Sequence, residues 1–196
     1  MLVISGPSGS GKGTVCGQLI SRCPELGLKL SISATTRPPR PGEEHGREYL
    51  FLGREEFERL AASGGFLEYA SIYGNLYGTP AGPVRESLAR GESVILEIDV
   101  QGGLQVREKF PDAVLIFLIP PGREELKYRL SGRGTESPEE IEKRIIWVDS
   151  ELPMMSRYDY IVINDRLENA VAGIKCILAA ERCRSRRFKL PEGWKA

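Results

Sequence analysis

Residues 6–14 read Gly6-Pro7-Ser8-Gly9-Ser10-Gly11-Lys12-Gly13-Thr14. They follow a short apolar run, residues 2–5. They open a segment with apolar residues at Val15, Cys16, Leu19, Ile20 and Cys23, a helical stripe stopped by Pro24. Gly6, Gly11 and Lys12 stand at the spacing of a phosphate-binding P-loop, between strand and helix, which is the context that loop requires. Glycines let the backbone wrap around phosphates with its N–H groups turned inward, and the helix N-terminus adds positive potential. Lys12 is placed to reach the β- and γ-phosphates and to offset charge that builds during transfer. The motif wants Ser or Thr directly after the lysine as a magnesium ligand. Gly13 stands there instead, so magnesium is expected to meet Thr14, Ser10 or Asp99 through water, in keeping with its reluctance to dehydrate.

Outward from this loop, strand and helix signals alternate. Residues 28–33, 93–99, 113–119 and 160–163 read as strands, the middle two near-continuous in Val, Ile and Leu as in a sheet covered on both faces. Helical patterns at 83–90, 103–110 and 167–183 separate them. The expected fold is α/β, a P-loop NTPase-type parallel sheet flanked by helices. Two segments break the rhythm. Residues 34–80 are turn-rich and tyrosine-rich, with a short helix near 55–62, and read as a small mixed-β insertion. Residues 123–149 are almost all helix and charge, with a capping signature at Ser137-Pro138-Glu139-Glu140 and a joint where Gly132 and Gly134 flank Arg133. The chain is expected to be one domain over 1–196, with a core of 1–33, 81–122 and 150–196.

The 27 basic and 27 acidic residues cancel among 196, which argues against a protein that coats nucleic acid. The longest apolar run, residues 113–119, is far short of the ~20 residues a bilayer span needs. No signal segment is visible at MLVISGPSG, so the cytosol is the expected compartment. Cys16 and Cys23, like Cys176 and Cys183, are spaced by two helical turns and read as small apolar residues on helix faces; the CxxC pairing of a zinc site is missing. The single histidine, His45, falls in the polar stretch PGEEHGRE and reads as a surface-loop residue.

Several other residues carry chemistry of their own. Arg37 and Arg40 are three apart on a proline-extended stretch. With the phenols Tyr49 and Tyr77 they suit a dianionic phosphate, unless they are ordinary surface arginines and packing tyrosines. Glu68 is an acid within an aromatic strand. Glu97 and Asp99 point to the same side at the end of an apolar strand, where α/β crevices lie. They belong either near magnesium or in helix caps.

The GKGT ending resembles adenylate kinases. The stretch SISATTRPPRPGEEHGREYLF resembles guanylate kinases more closely, whose monophosphate segment carries a TTRxPRxGE signature. FLEYASIYGNLYGTP, VILEIDVQG, RLSGRGTES and IVIND follow in the family's order, so the resemblance runs from residue 2 into the last helix. It implies a cytoplasmic nucleoside monophosphate kinase of purine metabolism that converts ATP and GMP to ADP and GDP, with Mg2+ accompanying ATP and neither nucleic acid nor membrane as partner. It implies that residues 6–14, with Asn164 and Asp165 near the adenine, hold ATP. Arg37, Arg40, Tyr49 and Tyr77 would then bind the GMP phosphate, Glu68 with Ser33 and Thr79 would read guanine, and Asp99 would complete the site. Family members often have serine where Thr79 stands, and the hydroxyl is kept. Residues 34–80 become a GMP-binding insertion and 123–149 a lid whose Arg133 and Arg144 contact the transferring phosphates. The implied catalytic set is Lys12, Arg37, Arg133 and Arg144, with Thr14 and Asp99 reaching the metal through water. Two other readings share the fold. One is a kinase of ribose 1,5-bisphosphate, which would not need a guanine reader. The other is a non-catalytic interaction module, a type that loses P-loop residues, whereas Lys12 is present.

Overall fold

The computed structural model describes residues 1–132, 138–187 and 193. The chain begins with β1 (Leu2–Ser5), α1 (Lys12–Arg22) and β2 (Leu28–Leu30), followed by β3 (Ala34–Thr35), β4 (Leu50–Phe51), α2 (Arg54–Ala62), β5 (Phe66–Ile72) and β6 (Asn75–Pro80). It continues through α3 (Ala81–Ala89), β7 (Ser93–Glu97), α4 (Val100–Lys109), β8 (Val114–Ile119), α5 (Arg123–Ser131) and α6 (Pro138–Glu151), and ends on β9 (Tyr160–Ile163) and α7 (Leu167–Arg182). Five strands form a parallel sheet in the order β2-β7-β1-β8-β9. The chain leaves the central β1 first to one side and later to the other, and such a switch point opens a crevice at the carboxyl ends of the strands.

Side-chain alternation divides the core between the sheet's two faces. Leu2 and Ile4 join Val15, Cys16 and Leu19 of α1 and Ala170, Val171 and Ile174 of α7. Val3, one residue away, joins Val84 of α3, Val106 of α4 and Phe117 on the other face. A second sheet, ordered β4-β3-β6-β5, lies wholly within residues 34–80 and mixes parallel and antiparallel pairs. Its core is Phe57 of α2 stacked on Phe66, ring centroids 4.4 Å apart, over Ala34. Helices α5 and α6 pack through Leu126, Leu130, Ile141 and Val148.

Several boundaries differ from the sequence reading. The strand expected over 28–33 stops at Leu30, and β3 belongs to the other sheet. The strand expected over 93–99 ends at Glu97, and the helix expected from 103 starts at Val100. The last two share a cause: Asp99 caps α4, its Oδ1 accepting from the N–H groups of Gln101 (2.7 Å) and Gly102 (3.1 Å). Gly102 and Gly103 hide the first turn because glycine is a poor helix former. The capping signature at Ser137 and the residue Arg133 lie outside the described residues. All four cysteines are free; Cys16 and Cys23 are buried as expected, whereas Cys176 and Cys183 are exposed. His45 is exposed, and its Nδ1 accepts from the Phe51 N–H. Among the described residues no helix is long and apolar enough to cross a membrane.

Gly6 ends β1 at a close approach. Its φ is 148°, and a Cβ there would strike the carbonyl oxygen of Leu118 on the neighbouring strand. Gly6→Ala is therefore expected to destabilise the fold by roughly 2 kcal/mol or more, since the obstacle is backbone that cannot step aside. A urea titration followed by far-UV circular dichroism reads the loss as a lower midpoint.

Candidate active site

A cleft of about 430 Å³ opens where the carboxyl ends of β1 and β7 face the second sheet and α6. The P-loop forms one wall because α1 begins at Lys12, directly after a left-handed Gly11. The Lys12 ammonium turns back across its own loop and donates to the carbonyls of Gly6 (2.6 Å) and Pro7 (3.1 Å). Burial holds its pKa below the usual lysine value, and the nearby carboxylates Glu97, Glu151 and Asp99 work against that shift. Arg144 of α6 donates from Nη1 to Ser8 Oγ at 2.7 Å, so the helical segment reaches the loop.

The opposite wall comes from residues 34–80. Glu68 is only 2 % exposed, and its Oε1 accepts from Thr79 Oγ1 at 2.6 Å. Ser33 Oγ lies 3.5 Å from the same hydroxyl. Burial pushes the Glu68 carboxyl up to about 7, against the Thr79 hydrogen bond that favours its charged form. Gly102 makes the position available: a Cβ there would collide with Glu68 Oε2. Tyr49 and Tyr77 meet edge-on, ring centroids 6.0 Å apart, and burial raises the Tyr49 phenol to about 12, so it stays a donor. Arg37 Nη2 pairs with Glu43, which also accepts from the backbone N–H of Arg40.

Of the residues singled out from sequence, Gly6, Ser8, Gly9, Gly11, Lys12, Gly13, Thr14, Ser33, Arg37, Arg40, Tyr49, Glu68, Tyr77, Asp99 and Arg144 all line this one cleft. Pro7, Ser10, Thr79, Asn164 and Asp165 do not. Thr79 stands behind Glu68. Asn164 is buried against the P-loop, its Nδ2 donating to the Ser10 carbonyl at 2.8 Å. Asp165 is exposed and accepts from the Arg166 N–H and from Asn169. Asp99 caps α4 with Oδ1 and also lines the cleft. Among the described residues no group of three or more His, Cys, Asp or Glu forms a metal cage.

The sequence reading passed over Glu43, Glu151, Tyr73 and Trp147, which also line the cleft. Glu43 had a signal, since it sits in the signature stretch. Glu151 had none: it looks like one more charge at a helix end, yet burial pushes it to about 7 and its Oε2 is buried without a hydrogen-bond partner.

A cleft with a phosphate loop at one end and guanidinium and phenol groups at the other suits two phosphates facing one another. The fold and this site define a P-loop kinase whose acceptor is itself phosphorylated. The guanylate kinase family model matches residues 1–181. The chain is 52% identical to the guanylate kinase of Caldanaerobacter subterraneus subsp. tengcongensis over 189 residues, covering 96% of this chain and 91% of that one. It is 53% identical to the guanylate kinase of Thermus thermophilus over 188 residues, covering 96% and 84%. The crystal structure of guanylate kinase from Anaplasma phagocytophilum superposes with a TM-score of 0.79 at 34% identity, covering 95% of this chain and 88% of that one. The chain belongs to the guanylate kinase family and is an ATP:GMP phosphotransferase.

The buried carboxyl of Glu68 gives stability a definite pH dependence. Its pKa rises from 4.5 in the unfolded chain to about 7 in the fold, so the folded state binds the extra proton between those values. The cost of burying the charge is absent below about pH 4.5 and complete above 7. Relative to Glu68→Gln, the parent is expected to lose of order 1–3 kcal/mol as pH rises from about 5 to 8. Denaturant midpoints of the two proteins across that range check the sign.

Proposed function

We propose that the transfer from ATP to GMP takes place in this cleft, with residues 6–14 holding the ATP phosphates and Arg37, Arg40, Tyr49 and Tyr77 holding the GMP phosphate. Residues 34–80 act as the GMP-binding insertion, 123–149 as the lid, and the remainder as the core. An oxygen of the GMP phosphate attacks the γ-phosphorus in line. The new O–P bond forms as the bond to the β–γ bridging oxygen breaks, and ADP leaves with that electron pair. Positioning and charge stabilisation do the work, without a covalent enzyme intermediate. Lys12, Arg37, Arg133 and Arg144 stabilise the charge on the transferring group. Asn164 and Asp165 bound the adenine side. Mg2+ bound with ATP would offset the phosphate charge, and Thr14 and Asp99, which both line the cleft, would meet it through water. The four free thiols, two of them exposed, suit the reducing cytoplasm.

The observation that carries this reading is Glu68: a buried carboxylate with a hydroxyl partner, in the same cleft as the P-loop lysine. It matches the two donors of guanine, and a ribose phosphate acceptor would leave it unsatisfied. A coupled ADP-release assay across GMP, AMP, UMP and ribose 1,5-bisphosphate tests it, with turnover expected on GMP. Glu68→Gln should raise the KM for GMP by roughly 10²-fold or more while ATP binding is kept, because an amide sets a donor against donors. Since Glu68 must be ionised to accept twice, the parent's KM for GMP should climb as pH falls below about 7, and the variant should lack that climb. An unchanged KM in the variant overturns the guanine-reader role. Lys12→Ala should lower kcat by roughly 10²–10³-fold with an unchanged circular dichroism spectrum.

A further inference from the structure

Strands β5 and β6 are joined by the two-residue turn Tyr73-Gly74, with Ile72 paired to Asn75. Such turns favour Asn or Asp before glycine because the first residue adopts positive φ. Tyr73 adopts it, at 50°, and is the single non-glycine residue to do so among the described residues. A bulky ring in that region is a strained exception, and an outlier of this kind invites a functional account. Here the ring is engaged rather than idle. The Arg144 guanidinium carbon lies 4.8 Å from its centroid, and the Trp147 ring lies 5.5 Å from it. Arg144 and Trp147 are three residues apart on α6 and so share a face. The same guanidinium donates to Ser8 Oγ of the P-loop at 2.7 Å. One arginine thus joins the hairpin tip of the second sheet to the phosphate loop.

We infer that Tyr73 is a positioning residue for Arg144: its ring holds the guanidinium aimed at the P-loop and makes that aim depend on where the GMP-binding hairpin stands. A cation over an aromatic face is attracted to it, and a long arginine side chain gains definition from a flat surface that removes rotamer freedom. With the hairpin in place, Arg144 is set for the transferring phosphates. With the hairpin displaced, the stack is lost and so is the aim. Acceptor binding and assembly of the donor-side arginine become one event. The inference rests on the role proposed above for Arg144.

Steady-state kinetics of Tyr73→Asn, Tyr73→Phe, Arg144→Ala and the Tyr73→Asn/Arg144→Ala double variant test it. Asparagine removes the ring and tolerates the left-handed backbone, so folding is spared. Tyr73→Asn should lower kcat by roughly 3–30-fold, with the KM for GMP near the parent's. Tyr73→Phe should retain the parent's kcat, since the ring face is kept. The double variant should be no slower than Arg144→Ala alone. If Arg144→Ala is impaired while Tyr73→Asn keeps the parent's kcat, or if the two losses multiply, the positioning role is overturned and the reading of Arg144 stands. A rise in the KM for GMP without a fall in kcat overturns it too, because that marks a merely structural hairpin. An Arg144→Ala enzyme with the parent's kcat overturns the reading of Arg144 itself.

Discussion

The buried ammonium of Lys12 is the charge around which the cleft is arranged. A lysine withdrawn from water costs several kcal/mol unless its donors and its charge are both answered. The carbonyls of Gly6 and Pro7 answer the donors, and Glu97, Asp99 and Glu151 answer the charge from a distance. That division matters. An ammonium locked onto one carboxylate would have to break an ion pair to reach a phosphate. Resting on the carbonyls of its own loop, it needs no such break. Burial pushes the carboxyls of the same three acids upward, against the opposing pull of Lys12.

The wall opposite Lys12 is tied to the core more firmly than its place in the chain suggests. Gln105 of α4 grips the backbone of Tyr69 on β5 from both sides, accepting from its N–H at 3.3 Å and donating to its carbonyl at 2.8 Å. Lys109 donates to the Leu67 carbonyl at 2.6 Å. Glu68 lies between these two fastened residues, above the gap left by Gly102. Glu68 is therefore held by the core helix although it belongs to residues 34–80. Arg37 and Arg40 lie beyond β3 and are organised locally, through Glu43. The cleft wall thus pairs a strand fastened to the core with a loop organised by its own contacts.

This division explains what was legible in the sequence. The P-loop could be read because phosphate binding needs glycine at particular backbone positions and a lysine at one, all within nine residues. The buried strands showed as apolar runs, and Glu68 showed as an acid where an aromatic strand should carry none. Asp99 was ambiguous because a cap and a cleft ligand have the same side chain, and only the fold reveals that it caps α4 while lining the cleft. Glu151, Tyr73 and Trp147 left no local trace. Tyr73 and Trp147 meet because α6 lies over the second sheet, a contact between residues more than seventy apart. The start of α4 was lost for a related reason, since the glycine that weakens its helical signal is the one that makes room for Glu68.

Gly13 bears on the same economy of space. A Cβ at that position would lie 3.3 Å from Glu97 Oε1 and 3.5 Å from Oε2. The place where a P-loop ordinarily carries a hydroxyl is here bordered by the acid that ends β7. A side chain there would ask the Glu97 carboxylate to give by a few tenths of an ångström. Glycine leaves Glu97 facing the cleft and moves the nearest hydroxyl one residue on, to the exposed Thr14. The motif's departure after its lysine is thus matched by a carboxylate in the neighbouring strand.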